Sequence, residues 1–266
     1  MADNGIERIA AAFAAARSEG RAALMPYMMG GFPDMETAAA VIDAYADTGA
    51  DLIELGVPYS DPLADGPVIH AAGTAALAAG ARFDGVLALC ERVADRVPVL
   101  PMVYANVVLT LGAERFAAAL EGAGAAGAII PDLPRDQDPA VAAALRERGL
   151  APIGFVAPTT TPERLGEVAA AAVGFTYVVS LTGVTGERDE LPPELGEIVA
   201  AVRAASDAPA AVGFGIGTSE QAARVGAIAD GVIIGTRLVR AVADADGAAA
   251  AVDAVSAFLA DTRMAL

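Results

Sequence analysis

Short apolar runs alternate along this chain with longer stretches in which apolar residues recur every three or four positions. A run of about four to eight apolar residues bounded by glycine or proline is typical of a buried strand, and the longer period indicates a helix that packs on one face. Eight runs predict strands at Leu24–Met29, Leu52–Leu55, Pro98–Tyr104, Ala128–Pro131, Ala151–Val156, Phe175–Val179, Ala210–Phe214 and Gly231–Ile234. The alanine-rich stretches predict helices at Met35–Thr48, Asp84–Ala94, Glu114–Ala123, Ala140–Arg148, Pro162–Ala170, Glu194–Ala205, Ser219–Ile228 and Gly247–Leu259.

This alternation of strand and helix predicts an α/β protein built from βαβ units, and therefore a parallel sheet. Eight units without a long linker favour a closed (β/α)8 TIM barrel over an open doubly wound sheet. A further helix at Gly5–Arg17 is expected to cover the barrel floor. The polar, charged segment GERDELPP (186–193) predicts a mobile loop and not a domain boundary. We therefore expect residues 1–266 to form one barrel domain.

Charge and composition exclude several classes of function. With 34 acidic and 17 basic residues the net charge is −17, which is the wrong sign for sheathing nucleic acid or an anionic membrane. No uninterrupted apolar run is long enough to cross a bilayer, and the N-terminus carries acids, unlike a secretory signal. The single cysteine, Cys90, excludes an internal disulfide and fits a reducing cytoplasm.

The run LIELGVPYSDPLADGP (52–67) contains the strongest candidate for catalysis. Glu54 interrupts an apolar strand, where a carboxylate costs several kcal/mol unless it is paired or exposed at a strand end. An isolated strand acid is more often satisfied by loop amides. Here, however, Asp61 and Asp65 follow in a loop constrained by glycine and proline. Two acids leaving one strand end favour proton transfer, and barrels carry their chemistry at that end.

Glycines after predicted strands 6, 7 and 8 indicate a phosphate site. Gly186, Gly213-Phe214-Gly215 and Gly235-Thr236 lie where barrels often bind phosphate, and Thr236 adds a hydroxyl at the start of a helix. Each glycine alone is more often a turn residue. The prediction of a phosphate site therefore depends on glycines that follow three successive strands.

Other chemistry has little support in the sequence. The only histidine, His70, is interpreted as an ordinary, partly buried side chain near a helix start, and Tyr27 in strand 1 is interpreted as core packing. One His and one Cys support neither a His/Cys zinc site nor a Ser-His-Asp triad. No lysine-bearing GxxxxGK phosphate loop occurs.

The fourteen-residue run ELGVPYSDPLADGP closely resembles the signature of the tryptophan synthase alpha subunit family. Further matches follow in the family's order and extend the resemblance over nearly the whole chain. They are Met25-Pro26-Tyr27, Met102-Val103-Tyr104-Ala105-Asn106, Pro131-Asp132-Leu133-Pro134, Ser180-Leu181-Thr182-Gly183-Val184-Thr185-Gly186 and Gly213-Phe214-Gly215-Ile216.

The resemblance implies cleavage of indole-3-glycerol phosphate to indole and glyceraldehyde 3-phosphate. Glu54 is expected to be the acid/base at the glycerol hydroxyl and indole C3. Asp65 is expected to accept from indole N1–H and to stabilise the charge that develops there. Thr185 matches a position from which a closing loop can orient Asp65. The reaction needs no metal and no organic cofactor, since pyridoxal phosphate belongs to the beta subunit.

The resemblance also implies binding residues and a partner. Tyr104, at the end of predicted strand 3, and Tyr177 match positions near the catalytic carboxylate, and together with Thr185 and Phe214 they are expected to bind substrate. A beta subunit in an alpha2-beta2 heterotetramer is expected to contact Pro58, Asp61, Asn106 and Pro134, of which the last three lie in the predicted loops after strands 2, 3 and 4.

The chain departs from the family at one phosphate position. It has Gly235-Thr236-Arg237 where the family usually shows Gly-Ser-Ala. Threonine keeps the hydroxyl, whereas the role of Arg237 stays open between function and structure.

Two alternatives remain at this stage. One is a free-standing indole-3-glycerol phosphate lyase with no obligatory partner, against which the four partner-facing residues argue. The other is a catalytically silent barrel that serves as an activator or phosphate-binding module. The presence of both Glu54 and Asp65 argues against the silent barrel.

Overall fold

The computed structural model describes residues 4–134, 137–179, 192, 194–213 and 215–266. Within these ranges the strands are β1 (Ala23–Met29), β2 (Ile53–Gly56), β3 (Val99–Met102), β4 (Gly127–Ala128), β5 (Ala151–Pro152), β6 (Gly154–Val156), β7 (Thr176–Val179), β8 (Ala210–Gly213) and β9 (Gly231–Ile234). The helices are α1 (Gly5–Ser18), α2 (Met35–Asp47), α3 (Pro67–Ala78), α4 (Phe83–Val93), α5 (Ala105–Leu111), α6 (Ala113–Gly122), α7 (Pro139–Glu147), α8 (Pro162–Ala170), α9 (Leu195–Ala205), α10 (Ser219–Gly226), α11 (Thr236–Ala243) and α12 (Ala248–Ala265).

The strands close into a parallel barrel. Seven of them are hydrogen-bonded in the order β3-β2-β1-β9-β8-β7-β6, and β4 pairs with β5. β5 and β6 are two pieces of one strand, interrupted at Ile153. A parallel bridge between Met102 and Ile129, with Val103 N–H donating to the Ile129 carbonyl at 2.9 Å, joins β3 to the chain just after β4. The prediction of a (β/α)8 barrel is confirmed.

Alternation along the strands separates an outer apolar layer from the barrel interior. On β2, Ile53 and Leu55 pack in the layer between strands and helices, whereas Leu52 packs inside the barrel. Glu54 is the next residue on the face of Leu52, so its side chain enters the interior. It pairs in register with Tyr27 of β1 and Leu100 of β3.

Helix α1 fills the bottom of the barrel, as predicted. Asn4 caps the helix in a reciprocal capping box with Glu7. Ile9 and Phe13 pack among the interior side chains of the strands, and the rings of Phe13 and Phe175 lie 5.7 Å apart. Apolar contacts therefore close the end of the barrel opposite the strand C-termini.

Some predicted boundaries were wrong. β3 ends at Met102, and Tyr104 is the N-cap of α5 and does not end the strand. β4 covers only Gly127–Ala128, shorter than the predicted Ala128–Pro131. Helix starts were expected near His70 and at Thr236, but the extents of α3 and α11 were not predicted and α5 was missed, because these helices are short or nearly uniform in hydrophobicity. The α5 terminus also depends on a distant residue, since the Ala105 N–H donates to the Asp132 carboxylate at 2.7 Å.

None of the described helices is both long and apolar enough to span a bilayer by itself. Helices α3 and α4 reach that length and composition only as a pair, across a bend of 107°. The predicted mobile loop at 186–193 falls outside the described residues except for Pro192.

Candidate active site

Glu54 is a fully buried carboxyl group in the barrel interior. Its side chain has no exposed surface, and neither oxygen has a hydrogen-bond partner among the described residues. Burial in these surroundings disfavours the charged form and raises the pKa of Glu54 to about 8. Near neutral pH the group is therefore mostly protonated and can donate a proton to a substrate.

Asp65 is a half-buried carboxylate at the mouth of the same barrel. It lies in the loop between β2 and α3, and the Tyr104 hydroxyl donates to its Oδ1 at 3.0 Å. Burial raises the pKa of Asp65, while the Tyr104 hydrogen bond and the nearby His70 imidazole partly offset the rise. The Ala64 N–H in turn donates to the Tyr104 hydroxyl at 3.1 Å. Tyr104 thereby fixes both the carboxylate and the backbone beside it.

Two further tyrosine hydroxyls lie inside the barrel near Glu54. Tyr27 and Tyr177 are both buried, and the pKa of each is raised well above its usual value, first by burial and then by neighbouring groups that include Glu54. For Tyr27 these neighbours also include Asp65, so both carboxyl groups contribute to raising the pKa of its hydroxyl. The core-packing interpretation of Tyr27 holds for the ring, which contacts Met29 and Ile69 in a small apolar cluster.

Contacts at the mouth connect an exposed residue to Asp65. The rings of Tyr59 and Tyr104 stack with their centroids 5.3 Å apart. The exposed Asn106 side chain donates to the Tyr59 hydroxyl at 2.8 Å. A continuous series of side chains therefore leads from the surface at Asn106 through Tyr59 and Tyr104 to Asp65. The sequence reasoning missed Tyr59, although it lies within the signature run.

The structure brings several of the predicted phosphate residues to the same end of the barrel. Gly213 ends β8, and Gly235 is the N-cap of α11, whose first residue is the buried Thr236. The first N–H groups of a helix have no partner within it, and a helix N-terminus attracts anions. Gly215 follows β8 with φ +72°, a conformation that favours glycine.

Arg237, whose role the sequence left open, packs against the C-terminal helix. Its guanidinium carbon lies 5.1 Å from the centroid of the Phe258 ring on α12. A cation–π contact of this kind stabilises the packing of α11 on α12. The observation favours the structural interpretation of Arg237.

The remaining predicted residues have mixed outcomes. Thr185, Gly186 and Phe214 lie outside the described residues. Among the expected partner contacts, three are exposed and Pro58 is buried within the chain itself. The exposed ones are Asp61, Asn106 and Pro134.

Two expectations about position were wrong. Asn106 lies in the first turn of α5 and not in a loop, because the helix starts directly after β3. His70 is exposed on α3, not partly buried. In the part of the chain that the structure describes, no three His, Cys, Asp or Glu side chains come together in a group able to hold a metal ion.

Comparison with known proteins agrees with this geometry. A family whose description is "Tryptophan synthase alpha chain" matches residues 13–265. The tryptophan synthase alpha chain of Synechococcus elongatus is 46% identical over 230 residues, which cover 85% of this chain and 86% of that one. The corresponding chain of Acidiphilium cryptum is 45% identical over 250 residues, which cover 92% of this chain and 91% of that one.

Solved structures with similar folds belong to the same group. A chain of Mycobacterium tuberculosis tryptophan synthase superposes with a TM-score of 0.90 at 38% identity, covering 97% of both chains. Tryptophan synthase subunit alpha of Legionella pneumophila superposes with a TM-score of 0.87 at 34% identity, again covering 97% of both chains.

Proposed function

The chain belongs to the tryptophan synthase alpha chain family, and we propose that it cleaves indole-3-glycerol phosphate with Glu54 and Asp65 as the two working carboxylates. The family's reaction is a retro-aldol cleavage that yields indole and glyceraldehyde 3-phosphate. One observation supports the assignment above others. Two carboxyl groups have opposite environments: Glu54 is buried in the barrel interior without a hydrogen-bond partner among the described residues, and Asp65 is held at the mouth by a tyrosine hydroxyl.

These environments suit the two roles. Neutral Glu54 donates its proton to indole C3, and the ring then carries a positive charge delocalised onto N1. Asp65 accepts the N1–H hydrogen bond and stabilises this charge. The Glu54 carboxylate next takes the proton of the adjacent glycerol hydroxyl, the bond to C3 breaks, and its electron pair restores the indole ring. The hydroxyl carbon becomes the aldehyde, and Glu54 is protonated again, so the proton count balances.

Backbone groups are expected to bind the phosphate of the substrate. The first N–H groups of α11 and the Thr236 hydroxyl are the candidate donors, and Gly213, Gly215 and Gly235 allow the anion to approach the main chain. This arrangement supports phosphate binding in spite of the net charge of −17. Gly186 stays a prediction for phosphate binding, and Thr185 and Phe214 stay predictions for binding the rest of the substrate.

We further propose that a beta subunit binds at the barrel mouth, in an alpha2-beta2 heterotetramer. The exposed Asp61, Asn106 and Pro134 lie on elements that follow β2, β3 and β4, around the proposed catalytic centre. Indole released there passes directly to the partner, which supplies the pyridoxal phosphate. The alpha chain itself is expected to need no cofactor. Because Cys90 is a free, buried thiol, we expect the enzyme in the reducing cytoplasm.

The deciding experiment is an assay of indole release from indole-3-glycerol phosphate, with and without a beta subunit. Cleavage that depends on Glu54 and is stimulated by the beta subunit supports the whole proposal. Full activity that no beta subunit changes supports a free-standing lyase. An inactive chain that still binds the substrate phosphate indicates a catalytically silent module.

A further inference from the structure

The hydroxyl of Tyr27 occupies an unusual place on the inner face of the barrel. Tyr27 pairs with Glu54 across the β1–β2 ladder, and its ring leans along β2 so that the hydroxyl lies over Gly56. A Cβ atom on Gly56 would overlap the hydroxyl oxygen, so glycine is needed for this ring position. Gly56 is two residues beyond Glu54 on the same face of the strand, a distance of about 6.6 Å along the backbone.

This hydroxyl has no strong acceptor in the arrangement that the structure shows. Among the described residues its hydrogen-bond contact is the Met29 thioether sulfur at 4.0 Å, and sulfur is a weak acceptor. Both oxygens of Glu54 also lack a donor in the part of the chain that the structure describes. A buried donor and a buried acceptor without adequate partners therefore lie on adjacent strands of one small polar region.

Four titratable groups of the described residues share this region with Glu54; two of them bond to each other, and Tyr177 lies on β7, which does not neighbour β2. Asp65 accepts from Tyr104, so these two groups already satisfy each other. The Tyr177 hydroxyl leans toward β8, because a Cβ on Gly213 would lie 2.7 Å from it. On β3 the residue in register with Glu54 is the apolar Leu100. Only Tyr27 combines a neighbouring strand position with a hydroxyl that lacks a good acceptor.

We propose that Tyr27 is a positioning residue for Glu54: its hydroxyl donates a hydrogen bond to the Glu54 carboxylate whenever that carboxylate is ionised. Ionisation turns the hydroxyl from the Met29 sulfur to the carboxylate. Rotation about the Glu54 side-chain torsions brings the oxygens toward Gly56 and the barrel mouth. The bond holds the charged group where it takes the substrate proton. The inference rests on the proposed role of Glu54 in the lyase reaction.

The test is Tyr27→Phe, which removes only the hydroxyl. The protonated carboxyl band of Glu54, identified as the infrared band that Glu54→Gln removes, is followed against pH. A hydrogen bond donated to a carboxylate favours its charged form, so its loss should raise the midpoint by about one pH unit. The limb of the pH–kcat profile that reports Glu54 should move in the same direction, with a smaller change in KM than in kcat.

Tyr45→Phe is the matched control. The Tyr45 hydroxyl is buried on the other side of β1 and donates to the Tyr27 carbonyl at 3.2 Å, outside the barrel interior. Its removal should leave the Glu54 midpoint unchanged. An unchanged or lowered midpoint in Tyr27→Phe overturns the proposal, as does an equal shift in Tyr45→Phe.

The infrared readout separates this inference from the proposed function. If Glu54→Gln retains lyase activity, the catalytic role of Glu54 fails, and the band of Glu54 still reports whether Tyr27 contacts it. If Glu54→Gln is inactive and Tyr27→Phe has the midpoint of the unaltered protein, only the positioning role of Tyr27 fails.

Discussion

Glu54 is the residue on which the chemistry depends most, because it serves two successive proton transfers. We expect Glu54→Gln to retain the fold and substrate binding but to lose at least about 10²–10⁴-fold in kcat, the usual contribution of a positioned acid/base. Indole release measures the loss, while calorimetric binding of a non-cleavable indole phosphate measures affinity. Near-normal turnover in this variant contradicts the assignment.

The same buried carboxyl should reduce the stability of the protein at high pH. Its pKa rises from 4.5 to about 8 on folding, so between these values the native state binds more protons than the unfolded state, and stability falls as pH rises. Glutamine does not titrate. The free energy of unfolding of Glu54→Gln, relative to that of the unaltered protein, should therefore increase by up to about 1.4 kcal/mol per pH unit in this window.

Urea titrations of both proteins from pH 5 to pH 9 check this expectation. Parallel curves across the range mean that Glu54 is charged in the native state or has an unshifted pKa. A variant whose stability relative to the unaltered protein falls as pH rises means that the carboxylate is favourably paired in the native state.

Asp65→Asn isolates the charge of the second carboxyl group. The amide oxygen of asparagine can still accept from the Tyr104 hydroxyl, so the loop keeps this anchor. The uncharged amide cannot offset the positive charge on the indole ring, and we expect a severe loss in kcat with little change in KM. Weakened binding with unchanged turnover identifies Asp65 instead as a residue that only positions the substrate.

The sequence reveals the residues that break a pattern and conceals those that follow one. Glu54 stands out as an acid in an apolar strand, and Asp65 as a second acid in a constrained loop. Tyr27 fits the apolar pattern of a buried strand. That pattern predicts burial of the ring but does not indicate a separate role for the hydroxyl. The orientation of that hydroxyl depends on the absence of a side chain at Gly56, on another strand.

At the scale of elements, helix α11 should determine phosphate affinity through its backbone. Gly235→Val adds bulk beside the first N–H groups of the helix and should raise KM strongly, with a smaller effect on kcat. A Cβ at Gly235 meets Tyr27 only at ordinary contact distances of 3.6–3.7 Å, so the position has room for a first side-chain carbon. The same change at Gly213 is less informative, because it also displaces Tyr177.

Arg237→Ala is the comparison variant for this helix. Since the guanidinium packs on Phe258, its loss should lower the thermal melting temperature clearly and raise KM only slightly. Substrate titrations and thermal melts of the two variants give the result. If Arg237→Ala raises KM more than Gly235→Val, the phosphate site depends on the side chain and not on the backbone.

Periodicity predicts most elements because long helices and buried strands carry a strong repeat. It does not give the extents of α3 and α11, whose starts alone were expected, and it misses α5; these helices extend the connections beyond β2, β9 and β3. Helix α3 is nearly uniform in hydrophobicity, and α5 has only seven residues and is capped by Asp132 from the next loop. Such helices depend on tertiary contacts that a local pattern does not contain.

At the scale of the whole molecule, we expect the isolated chain to be a slow lyase that a beta subunit accelerates at least about five-fold, the lower range of common coupling energies. The contacts from Asn106 through Tyr59 and Tyr104 give a docked partner a physical connection to Asp65. A partner that binds more tightly to the conformation in which these contacts are formed shifts the population toward that conformation.

Asp61→Ala should weaken this stimulation and leave basal activity nearly unchanged, because Asp61 is exposed on the loop beside the mouth. Glu147→Ala is the control, since it removes another exposed acid, at the floor end of α7. Titrating each variant with beta subunit in the indole assay gives the affinity and the maximal stimulation. Equal behaviour of the two variants removes Asp61 from the interface.

The barrel itself could be predicted from the number and order of its elements, because eight strand–helix units without a long linker leave few alternatives. The division of one strand into β5 and β6, of which only β5 pairs with β4, could not be predicted from the sequence. Strand pairing across that boundary depends on side-chain packing between sequentially distant segments.

The apolar plug formed by α1 has a consequence for where products can go. With Ile9 and Phe13 filling the axis at the bottom, the described part of the barrel interior is closed at that end, and diffusion along the axis leads toward the strand C-termini. Substrate uptake and indole departure then share one route and compete for it. In a complex whose partner covers that route, the yield of transferred indole depends on how tightly the partner closes the barrel mouth. Shortening α1 should open the opposite end and increase the loss of indole to solvent, without altering any catalytic group.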